Sequence, residues 1–503
     1  MTKYIPMLAF SLLFLGLAAC SDTNSIIEEV VEKEDILEEV IPNPNAGINN
    51  FIYSGMNVFY RWKSDVPVLS DDNFVSDEEY NEYLQASDTP ENFLETLVYR
   101  RESVDFFTRL ETDYEENLSD LQGTQATNGV EFGLVRYDDN KVLGYVRFIL
   151  PGSDADGKDI RRGDLFTEVN GTQLTLDNYA SLLFSDATTY TLNIASLNGN
   201  IITPTGRNIE LTKTEYDENP VFNVTVFEEA GKKIGYVHYT QFTAKESELN
   251  AAFLELKNLG ITDLVLDLRY NRGGYADVSL ALASMITGQF KGEILTKQEF
   301  NKEFMDYYES ECPECIQRRF IDRTTGSFSD EVINSLNLSS VYMIISGNTG
   351  SASETLISGL SVYINVKLIG DITSGKYTGG GTIYDSEDFG IEGANPDHTY
   401  ALYPIWYTNS NSLGDSWPNG IEPDIFLDED LGNMGILGSR DEPLLSATIN
   451  DIVGVTAKQQ LEKSLFDYDI IGDSRMDRRM PTEVIDSRPE IKVAMKKMMS
   501  KKE

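Results

Sequence analysis

Apolar positions change their spacing several times along the chain, and each change marks a boundary. Met7 to Leu17 is an unbroken apolar run. Residues 21–45 are acidic and poor in aromatics, and Pro42 and Pro44 end any short helix through Ile26–Val40. From 46 to 122 apolar and charged residues mix at helical spacing, as in Phe93, Leu94, Leu97 and Val98, and Thr89-Pro90-Glu91 is a helix start. Residues 123–215 read as short strands, with Gly133-Leu134-Val135 and Val142–Ile149 alternating or continuously apolar. Residues 216–430 alternate strands with helices, which predicts an α/β unit. Its strands are Tyr236–Tyr239, Leu264–Leu268, Val341–Ile345 and Val366–Ile369. Thr243 and Glu246 have capping-box spacing before the helix carrying Leu249, Phe253 and Leu256, and Gly260 closes it. Residues 431–503 read as a helical, charged extension. No internal repeat is visible.

The first twenty residues pair Lys3 with the apolar run, which is the pattern of a signal peptide and too short for a good spanning helix. Its end, Leu17-Ala18-Ala19-Cys20, resembles the lipobox of bacterial lipoproteins. That resemblance implies cleavage before Cys20, acylation of Cys20, and a chain anchored by lipid in a bacterial cell envelope, facing periplasm or exterior. Lys plus Arg is 41 against 82 Asp plus Glu, a net charge of −41, which argues against a nucleic-acid partner. The other cysteines, Cys312 and Cys315, form Cys-Pro-Glu-Cys. With only His238 and His398 available, a zinc site lacks ligands, so no metal is expected. In an oxidising compartment a local Cys312–Cys315 disulfide is the default.

Three segments in the α/β region carry candidate chemistry. Asp267-Leu268-Arg269-Tyr270-Asn271-Arg272-Gly273-Gly274 ends a buried strand. Glycines there let backbone amides approach a reacting oxygen, each donor lowering a barrier by about 3–4 kcal/mol. Asn348-Thr349-Gly350-Ser351-Ala352-Ser353-Glu354 follows a strand and opens a helix, where free amides and the dipole favour negative charge and the Ala352 amide is a second donor. Gly370-Asp371-Ile372-Thr373-Ser374-Gly375-Lys376 follows the next strand. A lysine there becomes a general base if burial lowers its pKa. Taken singly, these segments read as a tight turn, an N-cap and an exposed loop lysine. Neither histidine has the context of a triad member.

Together the segments resemble the C-terminal processing, or tail-specific, serine peptidases. That family shows Asp-Leu-Arg-x-Asn-x-Gly-Gly, then Ser-Ala-Ser-Ala-Ser-Glu, then Thr-x-Gly-Lys-Gly, and closes its core with Gly-Ile-x-Pro-Asp. Gly420-Ile421-Glu422-Pro423-Asp424 stands in the last place. The resemblance implies Ser351 as nucleophile and Lys376, 25 residues on, as base; Ser353, 23 residues before Lys376, fits the spacing less well. It implies an oxyanion hole from Gly273 or Gly274 and Ala352, and no cofactor. Glu354 is the candidate for supporting Lys376, with a helix-cap role equally open. The implied architecture is an α/β crotonase-like core with a PDZ-like β-rich domain and a small N-terminal helical domain.

Pro151-Gly152-Ser153-Asp154-Ala155, Gly163-Asp164 and Val169-Asn170-Gly171 resemble PDZ landmarks, which makes Phe132-Gly133-Leu134 the corresponding peptide-binding loop. The chain departs from the patterns at Thr349, Gly350, Arg272 and Tyr377, and Tyr377 next to Lys376 could reorient the base. The implied partner is an unfolded or tailed envelope or extracellular protein. The rival readings are a peptide- or ligand-binding lipoprotein without turnover, and a crotonase-like acyl-CoA enzyme, which export disfavours.

Overall fold

The computed structural model describes residues 43–114, 124–324, 329–455, 466, 468–475, 484–485 and 494. The signal peptide, Cys20 and the acidic linker through residue 42 lie outside the described residues. Among those described, no helix is long and apolar enough to cross a membrane.

The alternation of strands and helices builds a six-stranded sheet in the order 221–229, 232–239, 263–267, 340–345, 365–370 and 425–426. The first two strands form an antiparallel hairpin, and every later pairing is parallel. Parallel neighbours need crossovers, supplied here by the helices Glu246–Leu259, Ala276–Thr287 and Ala352–Ser361. Helices on its faces leave the central strands dry: Leu264, Val265, Leu266, Val341, Met343 and Ile345 are fully buried. The three chemistry-bearing segments all leave the carboxyl ends of adjacent parallel strands, where open α/β sheets place their sites.

A second six-stranded sheet lies beside it, in the order 274–275, 484–485, 378–380, 405–411, 294–300 and 317–319. The N-terminal helices, Ala46–Phe59, Asp77–Gln85 and Pro90–Glu95, share one apolar core with these sheets. Phe59 stacks on Trp406 at 5.0 Å, and the strand Arg109–Glu111 pairs with Ala401–Tyr403. Thr89 caps the Pro90 helix as its sequence predicts, accepting from Asn92 N. The β-rich segment forms its own sheet, in the order 469–473, 130–137, 141–149, 165–169, 189–198 and 201–212. It has its own core around Phe132, Leu134, Phe166 and Leu192.

Two expectations fail here. The Thr243–Glu246 capping box does not form: the helix is entered through Lys245, whose amide bonds Thr243 O at 2.7 Å, and Thr243 Oγ1 has no hydrogen-bond partner among the described residues. Bridging of Phe242 to Gly274 holds the chain extended just before the helix, so a local sequence rule yields to the tertiary pairing. Gly260 does close that helix in a left-handed conformation, φ 66°. Among the described residues after 431, the helix Pro443–Ile452 is followed by strands at Asp469–Asp473 and Val484–Ile485, so the segment is not helical throughout. Its charge masked a short apolar stretch at Ile470-Ile471 that completes a sheet edge.

Cys312 and Cys315 are joined by a disulfide, with Cα atoms 5.4 Å apart. His238 is sealed among Phe148, Phe222 and Tyr270, with neither ring nitrogen hydrogen-bonded among the described residues. Burial pushes its pKa from 6.5 down to about 4, with Arg269, Arg162 and Arg475 in the same direction and Asp267 opposing. The unfolded chain therefore takes up a proton first as pH falls below 6.5, and the folded state loses stability until about pH 4. His238→Phe should escape that loss. Urea unfolding at pH 7 and pH 5 should show the variant gaining on the parent by on the order of 2 kcal/mol at the lower pH.

Candidate active site

Ser351 sits between the 340–345 strand and the Ala352–Ser361 helix, fully buried, with φ 57° and ψ −112°. A serine in that region carries about 1–3 kcal/mol of strain and persists only where its surroundings impose it. Its N–H donates to Glu354 Oε2 at 2.8 Å, and its C=O accepts from Thr355 N at 2.9 Å. Gly273 presses on it from the neighbouring loop: at φ 112°, a Cβ on residue 273 would come 2.7 Å from Ser351 Cβ. Ser351 Oγ has no hydrogen-bond partner among the described residues. Ser353, by contrast, spends its hydroxyl on Asn271 O at 3.2 Å. The two serines that spacing left in competition are thus separated by what their hydroxyls do.

Glu354 is the hub of the site. Besides Ser351 N–H, its carboxylate accepts Thr373 Oγ1 at 2.6 Å, Gly375 N at 2.7 Å, Lys376 N at 2.9 Å and Ser374 Oγ at 3.2 Å. It therefore ties the serine turn to the lysine loop through main-chain amides. Burial raises its pKa, and the donors pull the other way. One carboxylate thus caps the Ala352–Ser361 helix through Ser351 N–H and accepts the Lys376 amide.

The Lys376 side chain is 2% exposed, and its Nζ lies 4.3 Å from the centroid of the Phe107 ring. Burial first and Arg109 second hold its pKa well below the ordinary lysine value, against smaller opposing contributions from Asp105 and Glu354. Phe107 and Arg109 come from the end of the N-terminal helical region, whose role was not readable in sequence. Asp105 shapes that wall by accepting Tyr60 Oη at 2.7 Å, Thr108 N at 2.9 Å and Phe107 N at 3.0 Å. The departures at Gly350 and Thr349 have local packing partners. A Cβ at Gly350 would lie 2.6 Å from Ser374 Oγ, so alanine there would force the Ser374 hydroxyl to move. Thr349 Oγ1 donates to Leu268 O at 2.8 Å and accepts Ser346 N at 2.9 Å. Tyr377 is half-buried in the field of Arg61 and Glu299.

Of the expected oxyanion donors, Gly273 and Ala352 lie beside Ser351, while Gly274 packs on Phe242. Gly273 N–H donates to Asn271 Oδ1 at 2.9 Å and is committed there. A Cβ on Gly273 would be 3.0 Å from Ala352 N, which places the Ala352 amide directly in this corner. Phe132, Gly133 and Leu134 lie inside the 130–137 strand, not in a loop, because both edges of that strand are paired. Sequence reasoning also passed over Arg269. Its buried guanidinium binds Asp267 Oδ2 at 2.8 Å and Glu442 Oε1 at 2.7 Å, pinning the glycine loop to the Pro443 helix. An Asp-x-Arg pair ending an otherwise apolar strand was the available signal. Among the described residues no cluster of His, Cys, Asp and Glu could hold a metal.

Residues 233–426 match the profile of peptidase family S41, and residues 47–109 match the peptidase S41 N-terminal domain. The chloroplastic C-terminal processing peptidase of Tetradesmus obliquus is 25% identical over 310 residues, covering 59% of this chain and 60% of that protein. A CtpA-like serine protease of Staphylococcus aureus is 24% identical over 284 residues, 56% of this chain and 49% of that one. The matches thus span between half and three fifths of these curated relatives. A solved S41 protease structure from Bacteroides fragilis shares the fold, with TM-score 0.62, 23% identity, and 81% of this chain and 98% of that one covered.

The packing of Gly350 on Ser374 makes a testable pair. Gly350→Ala should destabilise the chain by about 1–3 kcal/mol through overpacking. Gly350→Ala combined with Ser374→Ala should recover most of that loss, read by urea unfolding as a double-mutant cycle; additive losses would contradict the contact.

Proposed function

We propose, from the premise that the chain belongs to peptidase family S41, that it is a serine endopeptidase working through a Ser351/Lys376 dyad. The observation that carries this reading is a buried lysine, with its pKa driven down, held through Glu354 to the same carboxylate that fixes Ser351. Ser351 Oγ attacks the peptide carbonyl carbon while neutral Lys376 Nζ takes its proton. The resulting oxyanion is held by the amides of Ala352 and Gly274, each worth about 3–4 kcal/mol. Collapse breaks the C–N bond, and the departing amine takes the proton from Lys376. Water then attacks the acyl-enzyme, again with Lys376 as base, releasing the new carboxyl terminus and restoring Ser351. Glu354 is a positioning residue, since it binds the main chain of both loops rather than the reacting atoms.

The α/β unit is read as a crotonase-like core over 216–430, with a helical domain at 46–122, a PDZ-like domain at 123–215 and an extension at 431–503. In this reading an extended peptide adds to the PDZ-like sheet along the 130–137 strand. Substrates are unfolded or C-terminally tailed envelope or extracellular proteins, reached from a lipid anchor at Cys20. No cofactor takes part in the proposed steps.

Cleavage of unstructured casein by the chain from residue 21 tests the dyad. Ser351→Ala and Lys376→Ala should each abolish cleavage, and Ser353→Ala should retain it. Cleavage that survives both Ser351→Ala and Lys376→Ala would refute the mechanism.

A further inference from the structure

The strand Asp469–Asp473 lies antiparallel on the outer edge of the PDZ-like sheet. Its register pairs Asp469 with Arg136, Ile470 with Val135, Gly472 with Leu134 and Asp473 with Gly133. Ser474 continues the contact: its N–H donates to Phe132 O at 2.8 Å, and its Oγ accepts from Phe132 N at 3.1 Å. The backbone that strand addition would offer to a peptide is therefore taken by the chain's own residues.

The same segment is locked to the catalytic loop. Asp473 is buried and accepts Arg147 at 2.7 Å and Arg272 at 2.6 Å. Arg147 belongs to the PDZ-like sheet, and Arg272 stands directly before Gly273. Arg475 is held in turn by Glu131 at 2.9 Å and Glu218 at 2.8 Å. Further on, Val484–Ile485 runs parallel between two short strands, pairing Gly274–Tyr275 on one side and Gly379–Gly380 on the other. Those strands adjoin the site: one begins directly after Gly273, and the other begins two residues after Lys376. An extended chain thus lies between the strands that leave these two loops.

We propose that this part of the chain, through residues 469–475 and 484–485, is an internal ligand that fills both the PDZ-like edge and the catalytic cleft, and that a substrate must displace it. The proposal rests on the peptidase reading of the cleft and adds what governs access to it. A covalently linked competitor acts at an effective concentration of about millimolar, so weakly bound unfolded chains are excluded. Undocking also leaves the guanidiniums of Arg147 and Arg272 without their carboxylate, which favours the docked state.

Arg136 and Asp469 are exposed Cα partners joined by a surface ion pair, so Arg136→Cys/Asp469→Cys offers a reversible lock. Placed in the full chain with Ser351→Ala, the oxidised double variant should bind fluorescein-labelled β-casein at least about tenfold more weakly than its reduced form. Dithiothreitol should restore binding, and Ser351→Ala alone, which carries the Cys312–Cys315 disulfide, controls for reduction elsewhere. Equal affinity in both redox states, or no binding in either, would overturn the proposal. The same lock with Ser351 intact separates the two readings. Redox-dependent binding without any cleavage would sink the peptidase reading and leave the internal ligand standing.

Discussion

Everything at the site depends on one carboxylate. Glu354 accepts from the turn that holds Ser351 and from the loop that holds Lys376. The two loops leave neighbouring parallel strands, and nothing in a sheet ladder fixes how loops beyond its end face each other. A buried acceptor shared by several donors does fix it, because each amide released without water would cost about 1–3 kcal/mol. The strained Ser351 backbone is a consequence: φ 57° is tolerated because Glu354 and Gly273 leave the turn no easier conformation.

Around that hub the chain arranges a dry, charge-balanced environment. The N-terminal region covers Lys376 with Phe107 and Arg109, and the cost of charging a buried amine becomes the chemical asset in the proposed mechanism. On the other side a lattice of buried ion pairs runs from Asp267 and Arg269 to Glu442, and separately from Asp473 to Arg147 and Arg272. Such pairs contribute little net stability over apolar packing, but losing one partner costs about 3–5 kcal/mol. They are well suited to holding the glycine loop, the 130–212 sheet and the late strand in one relative arrangement.

Two of the three segments were legible in sequence because each follows a buried strand with a local end signal, glycines after Leu268 and a cap at Ser351. Their assembly was legible only through the resemblance, since no spacing rule brings Glu354 to Gly375. What sequence could not supply are contacts between distant stretches. Phe107 carries no local mark of facing Lys376, and the Thr243 box lost to the pairing of Phe242 with Gly274. The late strand was hidden by its acidic flanks, because Ile470-Ile471 is too short to signal without its partner Val135. The departures at Thr349 and Gly350 have local partners: Thr349 Oγ1 donates to Leu268 O, and Gly350 packs against Ser374 Oγ.

The central claim is that Lys376 is a neutral amine available to Ser351. The most direct measurement is an NMR titration of the lysine Cε and Nζ signals in the full chain, with Lys376→Arg assigning the resonance. The account predicts that Lys376 loses its proton at a pH well below that of the other lysines. Titration of Lys376 together with the surface lysines would contradict it.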